Sequence, residues 1–157
     1  MMTSHKILGF TLLELAIVIV IVGSVAIFNS PGHKQYLMQT KRSDAKKALV
    51  TLWHEQQAYH KSCGHYARQL GVKKTCVVGS EKLTDYQLAT PAVSPKGYYN
   101  LSIVSASANS YIIQAIPTPE GIQSNDTLCA RLTLDQAGHK RAYTQSNQLT
   151  EECWKKS

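Results

Sequence analysis

Four cysteines, Cys63, Cys76, Cys129 and Cys153, are the residues best equipped for chemistry in this chain of 157 residues. Their number is even and no C-x-x-C pair occurs, a pattern that fits disulfides made in an oxidising compartment. Three pairings are open. The sequential one, Cys63 with Cys76 and Cys129 with Cys153, closes two short loops without entangling them. In the chain-entropy picture each such loop stabilises the fold by about 3 kcal/mol. The same region offers a second chemistry, because His60, Cys63, His65 and Cys76 have the donor types of a zinc site. An oxidising compartment favours the disulfide, so neither a metal nor another cofactor is expected. The acidic residues are scattered, with no pair placed for general acid–base work. No nucleophile elbow, phosphate loop or zinc-protease helix motif occurs. The expectation is a protein that is not an enzyme.

Glu14 poses a different problem. Residues 1–9, MMTSHKILG, are a polar leader carrying Lys6, and from Phe10 the chain reads FTLLELAIVIVIVGSVAIF. That run is about 19 residues, close to the roughly 20 that cross a bilayer as a helix. Lys6 would hold its near end in the cytoplasm by the positive-inside rule. A secretory signal would need a small-residue cleavage site behind the run, and Ser24, Val25 and Ala26 make a weak one. A carboxylate near the start of a membrane helix costs about 2.5 kcal/mol or more, so Glu14 calls for a cation within the membrane.

The remaining chemistry is electrostatic. With 17 Lys and Arg against 10 Asp and Glu, the formal charge is +7, a balance that favours acidic partners such as nucleic acid or anionic lipid. Lys73 with Lys74, Lys140 with Arg141, and Lys155 with Lys156 could form a basic stripe at an exposed end. Contacts from such residues to a DNA backbone would be steeply salt-dependent and weakly selective for sequence. Ordinary solvated surface is the competing reading of these pairs. Lys41, Arg42, Lys46 and Lys47 read as a solvated helical face.

These residues must be positioned by a small set of elements. Pro31 removes a backbone donor and crowds the preceding turn, so residues 29–32 are either a kink or a helix end. Beyond it Ala45, Ala48, Leu49, Leu52 and Tyr59 recur at helical spacing, with Lys46, Lys47 and Glu55 facing away. This predicts a helix over 32–61. Residues 62–96 have no sustained period and read as a long connecting loop. From Gly97 the period becomes two: Tyr99, Leu101 and Ile103 mark one strand, and Tyr111–Ile116 a second. Leu128, Ala130, Leu132 and Leu134 mark a third, alternating with Cys129, Arg131, Thr133 and Asp135. Asp135–Gly138 is a turn into a short edge strand at His139–Thr144. Strands joined by short turns form an antiparallel sheet with one face free to cover a helix. Trp53 and Trp154 are expected to pack in the core or under a loop.

The segment Gly9-Phe10-Thr11-Leu12-Leu13-Glu14-Leu15 resembles the cleavage and methylation motif of type IV prepilins. The resemblance implies cutting between Gly9 and Phe10 by prepilin peptidase, N-methylation of Phe10, and pairing of the new amine with Glu14 of a neighbouring subunit during assembly. Gly23 and Pro31 resemble the glycine and the helix-kinking proline of many type IV pilins. Residues 40–49 (TKRSDAKKAL) resemble PilE-type minor pilins, as do Gly97-Tyr98-Tyr99, Gln114-Ala115-Ile116-Pro117, Gln123, Asp126, Cys129 and Cys153-Trp154.

The implied fold is α+β, a long N-terminal helix packed on a four-stranded antiparallel sheet with a C-terminal loop bounded by Cys129 and Cys153, the D-region. The implied division is a leader at 1–9, a transmembrane and assembly half-helix at 10–31, and a globular domain at 32–157, with its sheet and D-region at 97–157. The implied role is a minor structural subunit of a type IV pilus, supporting motility, adhesion or DNA uptake. Its implied partners are other pilins, the peptidase and the inner-membrane assembly machinery. The protein would sit in the inner membrane, with its C-terminal domain in the periplasm, before assembly into an extracellular pilus. Two alternatives are a DNA-binding competence pilin with a basic exposed face and a pseudopilin of a type II secretion system.

Overall fold

The computed structural model describes residues 11–28 and 31–155. Helix α1, Leu12–Phe28, has 17 residues and begins where Thr11 Oγ1 accepts the Glu14 backbone N–H at 3.2 Å. That bond satisfies one of the donors a helix start leaves open, and T-x-x-E is the sequence signature of such a start. Among the described residues no helix is long and apolar enough to cross a membrane. At 1.5 Å per residue α1 extends about 25 Å, short of a hydrocarbon core about 30 Å thick.

Helix α2, Pro31–Cys63, has 33 residues. Proline suits its first position, where the missing N–H would have had no intrahelical partner. Asn29 and Ser30 lie outside the described residues, and with them the question of a kink. The helix stops at Gly64, which takes φ +73° and donates its N–H to the His60 carbonyl at 2.8 Å. A left-handed residue here is the common helical stop, and glycine adopts it without a Cβ clash. The chain divides into two compact units, one of residues up to Tyr36 and one of Leu37–Ser157.

The stretch expected to be a plain loop carries structure. Strands β1 (Gln69–Gly71), β2 (Thr75–Cys76) and β3 (Tyr86–Ala89) form a three-stranded sheet in the order β1-β3-β2, β1 and β3 running parallel. Strands of two to four residues are too short to show a period, and their pairing is non-local, so pattern reading sees only a loop.

The main sheet has five strands rather than four: β4 (Tyr99–Ala106), β5 (Tyr111–Pro117), β6 (Arg131–Asp135), β7 (Lys140–Tyr143) and β8 (Leu149–Thr150). They pair antiparallel in chain order. The addition is β8, which makes β7 an interior strand rather than the edge. Strand β6 starts at Arg131, later than the alternation from Leu128 suggested, because the chain is still turning there and the Cys129 N–H is bonded to the Asp126 carboxylate rather than to a strand. Thr133 and Asp135 are buried as well as Leu132 and Leu134, so β6 is covered on both faces.

One core joins helix and sheet. Ala45, Ala48, Leu49, Leu52 and Tyr59 of α2 are buried with Tyr99, Leu101, Tyr111, Ile113, Leu132 and Ala142. Trp53 and Trp154 pack against this cluster, and the Trp53 indole donates to the Asp135 carbonyl at 3.1 Å.

Candidate assembly helix and basic surface

Helix α1 is apolar on all sides, and its described large side chains are exposed in the isolated chain, from Leu12 at 88% to Val18 at 46%. A helix with no polar face is one that is covered, by lipid or by other helices. Glu14 lies in its first turn and has no ion-pair partner among the described residues. Gly23 sits within α1, and a Cβ built there would meet nothing within 4 Å. Packing among the described residues therefore does not require glycine at 23, whereas a small residue lets a second helix approach closely. Gly9 and Phe10 lie outside the described residues.

Both disulfides follow the sequential pairing. Cys63 is bonded to Cys76 across 13 residues and Cys129 to Cys153 across 24. The sulfurs weighed as zinc ligands are thus bonded to each other, and His60 Nε2 is engaged with the Ala108 carbonyl at 2.9 Å.

Arg42 is the first departure from the expected solvated face. It is buried, and its Nε and Nη2 donate to Asp126 Oδ2 and Oδ1 at 2.7 and 2.8 Å. Asp126 also accepts Gln123 Nε2 at 2.9 Å and the Cys129 backbone N–H at 3.2 Å, and Gln123 donates to the Tyr99 hydroxyl at 2.7 Å. Burial, and then the Asp126 carboxylate, push the Tyr99 hydroxyl above its ordinary pKa. A two-toothed Arg–carboxylate pair is rigid, and this one ties α2 to the start of the Cys129–Cys153 loop.

Lys46 is the second departure. Its ammonium is partly covered and donates to the Lys155 carbonyl at 2.7 Å. Burial, then the cations of Arg42 and Lys140, hold its pKa below the ordinary lysine value. Lys140 Nζ stands 5.6 Å from the centre of a Trp154 ring, and the Trp154 indole donates to the Arg141 carbonyl at 2.9 Å. Lys46 and Lys140, from separate segments, thereby both meet the C-terminal segment, Lys46 at the Lys155 carbonyl and Lys140 at the Trp154 ring. Lys155 has Glu152 at 2.9 Å, the one acidic neighbour of this group in the described ion pairs.

The other expected contacts lie elsewhere. Arg141 follows Lys140 in β7 and so occupies the opposite face, 3.6 Å from Asp135. Lys74 donates to Ser62 Oγ at 2.8 Å and stands 5.4 Å from the Tyr59 ring centre, while Lys73 is exposed. Ser62 follows Lys46 by sixteen helical residues, about 24 Å along the axis and about 160° around it. The cations form two groups on different sides of α2 rather than one stripe. Lys156 lies outside the described residues.

Residues 31–133 match the family model described as type IV minor pilin ComP, DNA uptake sequence receptor. The chain belongs to this family of type IV minor pilins. Membership associates it with other pilins in an extracellular pilus. A solved structure, that of the Neisseria meningitidis non-core minor pilin PilV, shares the fold at a TM-score of 0.50 and 14% identity. The match covers 74% of this chain and 96% of that one. No curated protein matches the chain.

The minor pilin also has features that sequence reading passed over. The T-x-x-E signature at Thr11–Glu14 was legible and gives Glu14 a local role, since its N–H is capped. The Arg42–Asp126 pair spans 84 residues, and no one-dimensional pattern announces it. Lys46 was read as solvated because helical spacing alone does not show that the C-terminal segment passes over it.

Proposed function

We propose that this minor pilin is cut between Gly9 and Phe10 by prepilin peptidase, methylated on Phe10, and built into a type IV pilus through α1. Before assembly it would be held in the inner membrane by the apolar run from Phe10, with residues 32–157 in the periplasm. Glu14 would then pair with the N-terminal amine of a neighbouring subunit as the apolar helices leave lipid and bundle. The exposure of the apolar side chains all round α1 supports this reading. Twitching and adhesion would follow from the filament as a whole and from its inner-membrane assembly machinery.

Within that filament the minor pilin captures DNA for uptake. The observation that carries this is Lys46, set against the Lys155 carbonyl with its pKa lowered by burial and then by the Arg42 and Lys140 cations, and Lys140 against the Trp154 ring. Cations set close together gain when phosphates replace their counterions. The family description supports the same reading.

The test is the electrophoretic mobility of duplex DNA with the full chain in detergent micelles. A shift is expected at low salt that fades as salt rises, with a log–log slope of about −0.9 per phosphate contacted. Lys46→Ala/Lys140→Ala/Lys155→Ala should flatten that slope by about two to three. Lys73→Ala/Lys74→Ala should flatten it less. Absence of any shift at low salt, or an unchanged slope in the triple variant, contradicts this assignment.

A further inference from the structure

A cleft of about 460 Å³ opens in the globular unit between the turn that enters β4 and the segment that follows β5. Lys41, Lys96, Tyr98, Asn100, Thr118 and Glu120 line it. The Lys41 ammonium stands 4.5 Å from the centre of the Tyr98 ring. Neither Lys41 nor Lys96 has a carboxylate within 4.0 Å among the described residues.

Its walls are tied together. Thr118 donates its N–H to the Tyr98 carbonyl at 3.0 Å, and its hydroxyl lies 3.2 and 3.3 Å from the Gly97 and Tyr98 carbonyls. Asp44 of α2 holds the entering turn, accepting the Ser94 hydroxyl at 2.6 Å and the Lys96 N–H at 3.3 Å. Gln123 also borders the cleft at 1% exposure. Its amide nitrogen is committed to Tyr99 and Asp126, while its Oε1 has no hydrogen-bond partner.

We propose that this cleft binds an acidic saccharide, a sugar bearing a carboxylate. Two cations without acidic partners suit the carboxylate. Glu120 accepts, and the Asn100 amide both donates and accepts, which suits a ring of hydroxyls. The Tyr98 ring supplies an apolar wall for the sugar's C–H face. The volume falls within the ordinary range of small-ligand sites. A DNA strand fits less well, since its phosphates would meet the Glu120 carboxylate and deoxyribose within the strand has no hydroxyl to offer. A simple inorganic anion would leave Asn100 and Glu120 unused. Nothing in this proposal depends on the DNA-capture reading.

The experiment titrates the full chain in detergent micelles with galacturonic acid disaccharide, with galactose disaccharide and with orthophosphate at constant ionic strength. Binding is followed by saturation-transfer NMR. The uronate should bind, and Lys41→Gln/Lys96→Gln should weaken it by about tenfold or more without moving the thermal midpoint. Glu120→Gln, on the exposed segment after β5, is the second variant. It should strengthen any orthophosphate binding, by removing the carboxylate that repels it, and the uronate less, because the uronate also loses a charged hydroxyl acceptor. DNA mobility shift should survive in both variants, which separates this site from the Lys46 group. Absence of uronate binding, equal binding of uronate by the Lys41→Gln/Lys96→Gln variant, or orthophosphate displacing uronate at equal concentration would overturn the proposal. Galactose disaccharide binding as tightly as the uronate would remove the role given to the lysines.

Discussion

Arg42 and Asp126 together remove two charges from water, and each is tolerated only because the other is there. Breaking a buried pair by deleting one partner typically costs about 3–5 kcal/mol, because the survivor stays buried and unpaired. Arg42→Met is therefore expected to destabilise the chain by about that amount in urea unfolding, and Arg42→Met/Asp126→Leu should recover part of the loss. A single-variant cost below about 1 kcal/mol, the level of an exposed pair, would contradict the role given to Arg42. The sequence placed Arg42 in a run of cations and so hid this role. A side chain 84 residues away in sequence decides it.

Asp135 is the residue with the clearest pH signature. Burial pushes its carboxyl up, but hydrogen bonds from the His139 N–H and ring and from the Ala137 N–H outweigh it and hold the pKa below the ordinary value. A carboxyl lowered on folding contributes stability that is fully present above its unfolded pKa. That contribution is lost as pH falls through the folded value. Stability should thus decline as pH drops below the ordinary aspartate range, and Asp135→Asn should flatten that part of the profile. The Asp135–Gly138 turn was legible from its residues; the convergence of donors on one carboxylate was not, since it depends on how the turn closes.

At the scale of elements, α1 is all apolar surface with one carboxylate. Glu14→Ala should leave processing at Gly9 largely intact and reduce incorporation into filaments, as read by the variant's ratio between sheared pili and membranes. Normal incorporation would contradict the pairing role of Glu14. The Cys129–Cys153 bond closes a 24-residue separation, and Cys129→Ser/Cys153→Ser should cost about 3 kcal/mol by loop closure. The same variant should weaken DNA capture, because Lys155 and Trp154 directly follow Cys153. Retained affinity at full folding would detach the loop from the basic surface.

Legibility followed element length. The long helix and strands β4 and β5 announced themselves by period, since their buried residues repeat at helical or alternate spacing. Strands β1, β2, β3 and β8 have two to four residues each, and their existence depends on partners rather than on pattern. The alternation in β6 was visible, but both of its faces are covered, so alternation did not mean an exposed side.

At the scale of the molecule, sequence and structure agree on a minor pilin whose globular unit encloses one core and whose α1 carries exposed apolar side chains. The functional surface was less legible than the fold. Six basic residues looked like one stripe, yet α2 turns about 100° per residue and β7 sends Lys140 and Arg141 to opposite faces. The group that forms instead includes Lys46, whose place among the other cations is set by tertiary contacts with β7 and the C-terminal segment.

Processing of this chain and its assembly through the N-terminal helix can both be read by mass spectrometry of the N-terminal peptide. Peptides from sheared filaments and from membranes should be compared. A chain beginning at N-methylated Phe10 is expected in the filament fraction, present at a small fraction of the main pilin. An uncut Met1 N-terminus in both fractions would contradict this expectation.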